Sequence, residues 1–109
     1  MLAGTDAVGA AWVVPGASLH DGFDLLAEAG LSPLRILPTA TSDATRFLGA
    51  EDTAGTVAAG RNADLVLLDA DPTASVANLH AVSGVVCRGL ALSGADLETA
   101  KHDLQGRVA

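Results

Sequence analysis

Few residues in this sequence of 109 residues could do chemistry, and their spacing forms no complete catalytic pattern. The three histidines, His20, His80 and His102, lie far apart, and the sequence contains no His-x-His pair. A zinc ion takes about four ligands, usually including histidine or cysteine, so spacing alone predicts no metal site. There is no G-x-S-x-G motif to indicate a serine nucleophile. The glycines also lack the spacing of a phosphate-binding loop, so turns and bulges account for them.

The remaining candidate residues each have a structural interpretation. Cys87 follows two valines in a predicted strand with no histidine nearby, which predicts an inert thiol in the core. His20 falls in the first turn of a predicted helix and is expected to face solvent, while His80 and His102 are expected at the surface. Asp6 follows a short apolar segment, where an aspartate commonly caps a turn.

Composition excludes several classes of partner. The chain has 13 acidic against 6 basic residues, which gives a formal net charge of −7. The basic residues are scattered, which argues against nucleic acid and against an anionic membrane surface. The single cysteine excludes an internal disulfide and fits a reducing compartment. No apolar run approaches the roughly 20 residues of a membrane-spanning helix, and Met1 is not followed by a basic leader, so we expect a cytoplasmic protein.

Local signals in the first half predict a strand and three helices. Residues 1–11 are small and apolar and predict a short buried strand that ends in a loop. The Ser-x-x-Asp spacing of Ser18 and Asp21 predicts a capping box, with the following helix ending at Gly30. A second helix should begin at Ser32-Pro33 and kink or end at Pro38. A third should run over residues 43–48 and stop at Gly49.

Periodicity changes after residue 52 and predicts strands. These are a short strand at residues 55–57, buried strands at 65–68 and 82–87, and a return strand at 89–92 after a turn at Arg88-Gly89. We expect 65–68 and 82–87 to pair in one small, mainly antiparallel or mixed sheet. Ser93, with Asp96 three residues later, should cap a C-terminal helix. The fold class is therefore mixed α/β, with residues 1–50 and 51–109 forming one compact unit.

An ordered series of short segments resembles the metal-dependent amidohydrolase superfamily, and most closely its imidazolonepropionase-like and prolidase-like members. Each segment is weak alone, but together they cover nearly all of residues 2–92 in family-like order and spacing. The segments are Gly4-Thr5-Asp6-Ala7, Ser18-Leu19-His20, Leu26 to Pro33, Ala40 to Gly49, Gly55-Thr56-Val57, Gly60 to Asp69, Asp71-Pro72 and Val85 to Gly89.

The resemblance implies a C-terminal segment of a longer fold. The matching region in the family holds the last strand of a TIM-like barrel, the helices after it, and strands that complete a small β-sandwich beside the barrel. In the family, the aspartate corresponding to Asp6 ligates the metal and acts as general base to the metal-bound water. His20 would lie in a loop that overhangs the site and could contact substrate. The full-length family uses zinc or another divalent metal, whereas Asp6 lacks partner ligands here, so we expect no cofactor in this chain alone.

Two functions follow as hypotheses. The first is the C-terminal portion of a metal-dependent amidohydrolase, which hydrolyses amide-type C–N bonds and is inactive as this chain alone. The second is a non-catalytic binding or oligomerisation module that reuses the fold. A complete barrel needs roughly 250 residues, and 22 of the residues here are alanine, which builds a shallow core. We therefore expect a homo-oligomer or a missing N-terminal barrel portion as partner.

Overall fold

A computed structural model describes residues 1–7 and 13–108, with the side chain of Val108 left aside. The described residues form four α-helices and three strands, with short 3-10 helices between them. The α-helices are α1 (Ala17–Glu28), α2 (Pro33–Ile36), α3 (Ser42–Phe47) and α4 (Gly94–Val108), and the strands are β1 (Leu65–Leu68), β2 (Val82–Cys87) and β3 (Leu90–Ser93). The 3-10 helices span Leu37–Ala40 and Val76–His80. No helix of the described part is long and apolar enough to cross a membrane.

The C-terminal ends of α1 and α2 lie where the sequence predicts them. Gly30 takes a φ of 97°, and the amide of Leu31 donates to the carbonyl of Leu26, which is the Schellman arrangement expected of a glycine stop. Pro38 ends the α-helical pattern, because α2 finishes at Ile36 and continues as a 3-10 turn. These predictions are confirmed.

The predicted cap of α1 is wrong. The helix begins at Ala17, one residue before Ser18, and its N-cap position is Gly16. The hydroxyl of Ser18 instead accepts a hydrogen bond from the amide of Val14 at 2.7 Å. The Pro15-Gly16 turn brings the chain back on itself, so the serine closes the turn and does not cap the helix.

The predicted sheet is confirmed. β1 pairs antiparallel with β2, and β2 pairs antiparallel with β3, in the order β1-β2-β3. Arg88 and Gly89 both have positive φ, 52° and 79°, as a two-residue type I′ turn requires. The carboxylate of Asp64 accepts from the amide of Arg88 at 2.8 Å, which ties this turn to the start of β1.

Two predicted strands are absent from the described residues. Residues 1–7 contain no strand, and the part of that prediction on residues 8–11 lies outside the described residues. Instead, the amide of Ala3 donates to the carbonyl of Thr39 at 3.1 Å, which ties the segment to the helical half. Residues 54–56 form a bend, and Val57 belongs to no strand. A strand needs a neighbouring strand to hydrogen-bond, and neither segment has one among the described residues.

The core is small and lies where the helices meet the Val76–His80 turn. Its buried apolar side chains are Phe23 of α1, Ile36 of α2 and Val76. Half-buried side chains surround them: Ala3, Leu19, Leu26, Leu31, Ala40 and Leu79. The packing therefore joins the first half of the chain to the second.

Candidate functional site

Asp6 lies at the end of the extended N-terminal segment. Its side chain is exposed, and its backbone takes a φ of 50°, a left-handed conformation that aspartate tolerates better than most residues. Among the described residues its carboxylate makes no hydrogen bond. The turn that it would cap continues into residues 8–12, so that prediction lies outside the described residues.

No metal centre is assembled within residues 1–7 and 13–108. No group of three or more histidine, cysteine, aspartate or glutamate side chains there could hold a metal ion. A catalytic zinc site has three protein ligands and an open position. The donor set of the described residues therefore does not fit the metal that the resemblance implies.

His20 lies in the first turn of α1, as predicted, but it does not simply face solvent. The side chain is half-buried, and its Nδ1 is buried without a hydrogen-bond partner among the described residues. The ring meets Phe23 edge-on, with 6.1 Å between ring centroids. The solvent-facing prediction is wrong because packing against Phe23 and a second histidine turns the ring inwards.

That second histidine is His80, at the end of the Val76–His80 turn. Its ring centroid lies 5.3 Å from that of His20, with the ring planes tilted by 39°. Its Nε2 lies 2.7 Å from Oδ2 of Asp24. His80 is exposed, as predicted, yet it belongs to a polar cluster that the sequence did not indicate.

Sequence reasoning missed Asp24 as well. His20 and Asp24 are four residues apart, so they share one face of α1, and this spacing was the one available signal. The contact between Asp24 and His80 spans 56 residues of chain. No local pattern predicts a pairing over that separation.

Cys87 also differs from its prediction. The thiol is exposed and not in the core. The residue ends β2 immediately before the hairpin turn, where its side chain is exposed. His102 lies exposed on α4, as predicted.

Comparison with known proteins shows similarity to amidohydrolases both in sequence and in structure. The model of the amidohydrolase family matches residues 1–92. A crystal structure of an amidohydrolase superposes with a TM-score of 0.64 and 30% sequence identity, over 69% of this chain and 19% of that protein. A Xaa-Pro dipeptidase with methionine bound in its active site superposes with a TM-score of 0.68 and 26% identity, over 75% of this chain and 20% of that one. The chain thus spans about a fifth of each of these proteins. No curated protein sequence matches it.

Proposed function

Because the chain belongs to the amidohydrolase family, we propose that it forms the C-terminal part of a metal-dependent hydrolase of amide-type C–N bonds. The observation that carries this proposal is the family match over residues 1–92, which agrees with the superposition on two solved structures. The similarity to a Xaa-Pro dipeptidase favours a dipeptide-like substrate among the compounds that such hydrolases cleave.

The role that we propose for this chain's residues is limited. Asp6 would supply one carboxylate ligand, and the other ligands would come from residues outside this sequence. His20 remains a candidate substrate contact. The chain alone would not hydrolyse substrate, since the donor set of its described residues does not complete a catalytic centre.

A domain replacement tests this proposal. The corresponding C-terminal fifth of the Xaa-Pro dipeptidase is replaced by this chain, and hydrolysis of a Xaa-Pro dipeptide is measured with added Zn²⁺ or Mn²⁺. We expect activity above that of the truncated dipeptidase, and loss of that activity on Asp6→Asn. The exposed residue Asp52 offers a matched control, because Asp52→Asn removes the same charge outside the proposed site.

Two outcomes would contradict the proposal. One is a folded chimaera, judged by circular dichroism, whose activity is indifferent to Asp6→Asn. The other is hydrolysis by the chain alone that survives the same substitution.

A second candidate is a non-catalytic binding or oligomerisation module, and the molecular surface favours it. The chain exposes 7722 Å², whereas a compact monomer of this mass exposes about 5,500 Å². Large apolar side chains contribute to the excess, notably Phe47 and Leu48, which are 77% and 75% exposed. Such a surface would be covered by a second copy or by a barrel portion in a longer protein.

A further inference from the structure

One face of the sheet carries apolar side chains on all three strands. In an antiparallel sheet, residues directly opposite each other lie on the same face, as do residues two apart along a strand. The register places Val66, Val85 and Leu92 in one row across the sheet, and Cys87 and Leu90 in the next row. We call these five residues the Val66 face.

The Val66 face is partly open to solvent. Val66 on β1 and Leu90 on β3 are 60% and 66% exposed, and its other members are exposed or half-buried. Ser83 lies on the same side of β2, and its hydroxyl donates to the carbonyl of Leu67 at 3.3 Å. The serine hydroxyl is therefore already paired, and the rest of the face is apolar.

The strand sequences are typical of a sheet that is covered on both faces. An antiparallel sheet with one face in water alternates apolar and polar residues, whereas strands buried on both faces are apolar throughout. β1 is Leu-Val-Leu-Leu, and β2 ends in Val-Val-Cys. Val66 and Leu67 lie on opposite faces of β1, and both are more than half exposed. The pattern therefore predicts a further layer over the Val66 face.

The charge of the chain favours this face for contact between two copies. Each copy has a net charge of −7, so two copies repel each other where their acidic residues meet. No residue of β1, β2 or β3 is charged, and the carboxylate of Asp64 at the start of β1 is held by the amide of Arg88. The exposed Phe47 instead lies on α3 with the charged pair Asp43 and Arg46. Two copies can thus meet through the sheet without bringing like charges together.

We propose that the Val66 face packs against the same face of a second copy, so that two sheets stack as the layers of a sandwich about a two-fold axis. The proposal rests on the oligomerisation module given above as the second candidate function. Stacked sheets lie about 10 Å apart and interdigitate their side chains. A two-fold contact needs only one self-complementary face on each chain, and an apolar, uncharged face meets that need.

The surface available is large enough for such a contact. The chain exposes 7722 Å², about 2,000 Å² more than a compact monomer, whereas each partner contributes about 800 Å² to a standard interface. Three strands about 4.8 Å apart, each of about four residues rising 3.3 Å, give a face of roughly 14 by 13 Å. It therefore forms the apolar centre of an interface with a polar rim. Because this centre is small, we expect a weak dimer with a micromolar dissociation constant.

Sedimentation of matched valine variants tests the proposal. The unmodified chain should pass from 10.8 kDa to twice that mass as its concentration rises through the micromolar range. Val66→Lys should raise the dissociation constant at least about tenfold, because the dimer would bury an unpaired charge. Leu90→Lys on β3 should act in the same way. Val57→Lys makes the same change at a valine that is 85% exposed and lies outside the sheet, so it should leave the dissociation constant unchanged.

Cys87 allows a measurement on the unmodified chain, which guards against variants that fail to fold. It is the single cysteine of the sequence and belongs to the Val66 face, so contact between two copies should protect its thiol. Its rate of reaction with a maleimide should fall as the protein concentration rises, in step with the fraction of dimer measured by sedimentation. The thiol of folded Val66→Lys should stay reactive over the same range of concentration.

The outcomes separate this proposal from the functions on which it rests. A monomer at every concentration would overturn the Val66 face and the oligomerisation module together. A dimer that leaves Cys87 fully reactive, or that dissociates with Phe47→Ser and not with Val66→Lys, would overturn this face alone. Asp6→Asn should not change the dissociation constant, so none of these results decides the hydrolase proposal.

Discussion

Gly55 lies where a loop packs closely against α3. Its φ is 88°, and a Cβ built on it would lie 2.2 Å from Oγ1 of Thr45 and 3.0 Å from the carbonyl oxygen of Thr41. The Thr45 hydroxyl is already held by the carbonyls of Thr41 and Ser42. A side chain at position 55 would therefore meet both α3 and the backbone before it, so only glycine fits.

A pair of alanine substitutions separates this contact from backbone strain. Gly60 also has a positive φ, 85°, but nothing lies within 4 Å of a Cβ there. Gly60→Ala should lower the free energy of unfolding by about 1–2 kcal/mol, from the left-handed backbone alone. Gly55→Ala should cost about 1–3 kcal/mol more, because the methyl group overpacks the site. Urea denaturation measures both, and equal losses would show that the loop shifts freely away from α3.

Asp6 is not expected to hold a zinc ion in this chain. Asp6 has no partner ligands within the described residues, so the purified chain should bind no stoichiometric Zn²⁺, with or without Asp6→Asn. Elemental analysis before and after the substitution measures this. About one zinc per chain that disappears with Asp6→Asn would contradict it, and would indicate a site completed by a neighbouring copy.

At the scale of elements, two serines at the N-caps of described α-helices differ in what their side chains do. Ser93 forms a reciprocal cap with Asp96: its hydroxyl accepts from the Asp96 amide at 3.2 Å, and its own amide donates to the Asp96 carboxylate at 2.8 Å. Ser32 caps α2 with no side-chain hydrogen bond. Ser93→Ala should therefore cost about 1 kcal/mol and reduce helix content. Ser32→Ala should have little effect, and comparable losses would contradict the assignment of the caps.

The same cap predicts a dependence on pH. The Ser93 hydroxyl and amide donate to the Asp96 carboxylate and lower its pKa below 3.8. A lowered folded-state pKa means that the cap stabilises α4 above about pH 4 and that this stabilisation is lost as pH falls through the folded-state pKa. An NMR titration of the Ser93 amide should report this transition. Asp96→Asn should abolish it, and Asp103→Asn, elsewhere on α4, should not.

At the scale of the whole molecule, surface area predicts association. The radius of gyration is 14.8 Å, against about 13 Å for a compact domain of this length. The surface exceeds that of a compact monomer by about 2,000 Å², which is more than one partner contributes to a standard interface. Sedimentation at micromolar concentration should therefore give a species larger than 10.8 kDa. A clean monomer would contradict this, and Phe47→Ser should weaken the association if α3 lies in the interface.

The elements that the sequence determined are those whose signals act between near neighbours. Gly30, Pro38 and the Ser93–Asp96 pair act within one or two turns of helix, and the Arg88-Gly89 turn sets the hairpin by its own backbone preference. These helix ends and this turn form without contacts from distant parts of the chain, because caps, prolines and positive φ are local constraints. The order of segments likewise sufficed to indicate the family.

Tertiary structure decided the rest, because it depended on partners far away in the chain. The apolar segments at residues 1–7 and 55–57 resemble strands, but a strand exists only beside another, and none lies beside them among the described residues. Cys87 has the sequence neighbours of a core residue, yet it is exposed at the end of β2. His80 meets His20 and Asp24 because the core around Phe23 and Val76 brings α1 against the Val76–His80 turn, and a contact of this kind is fixed by packing, not by sequence spacing.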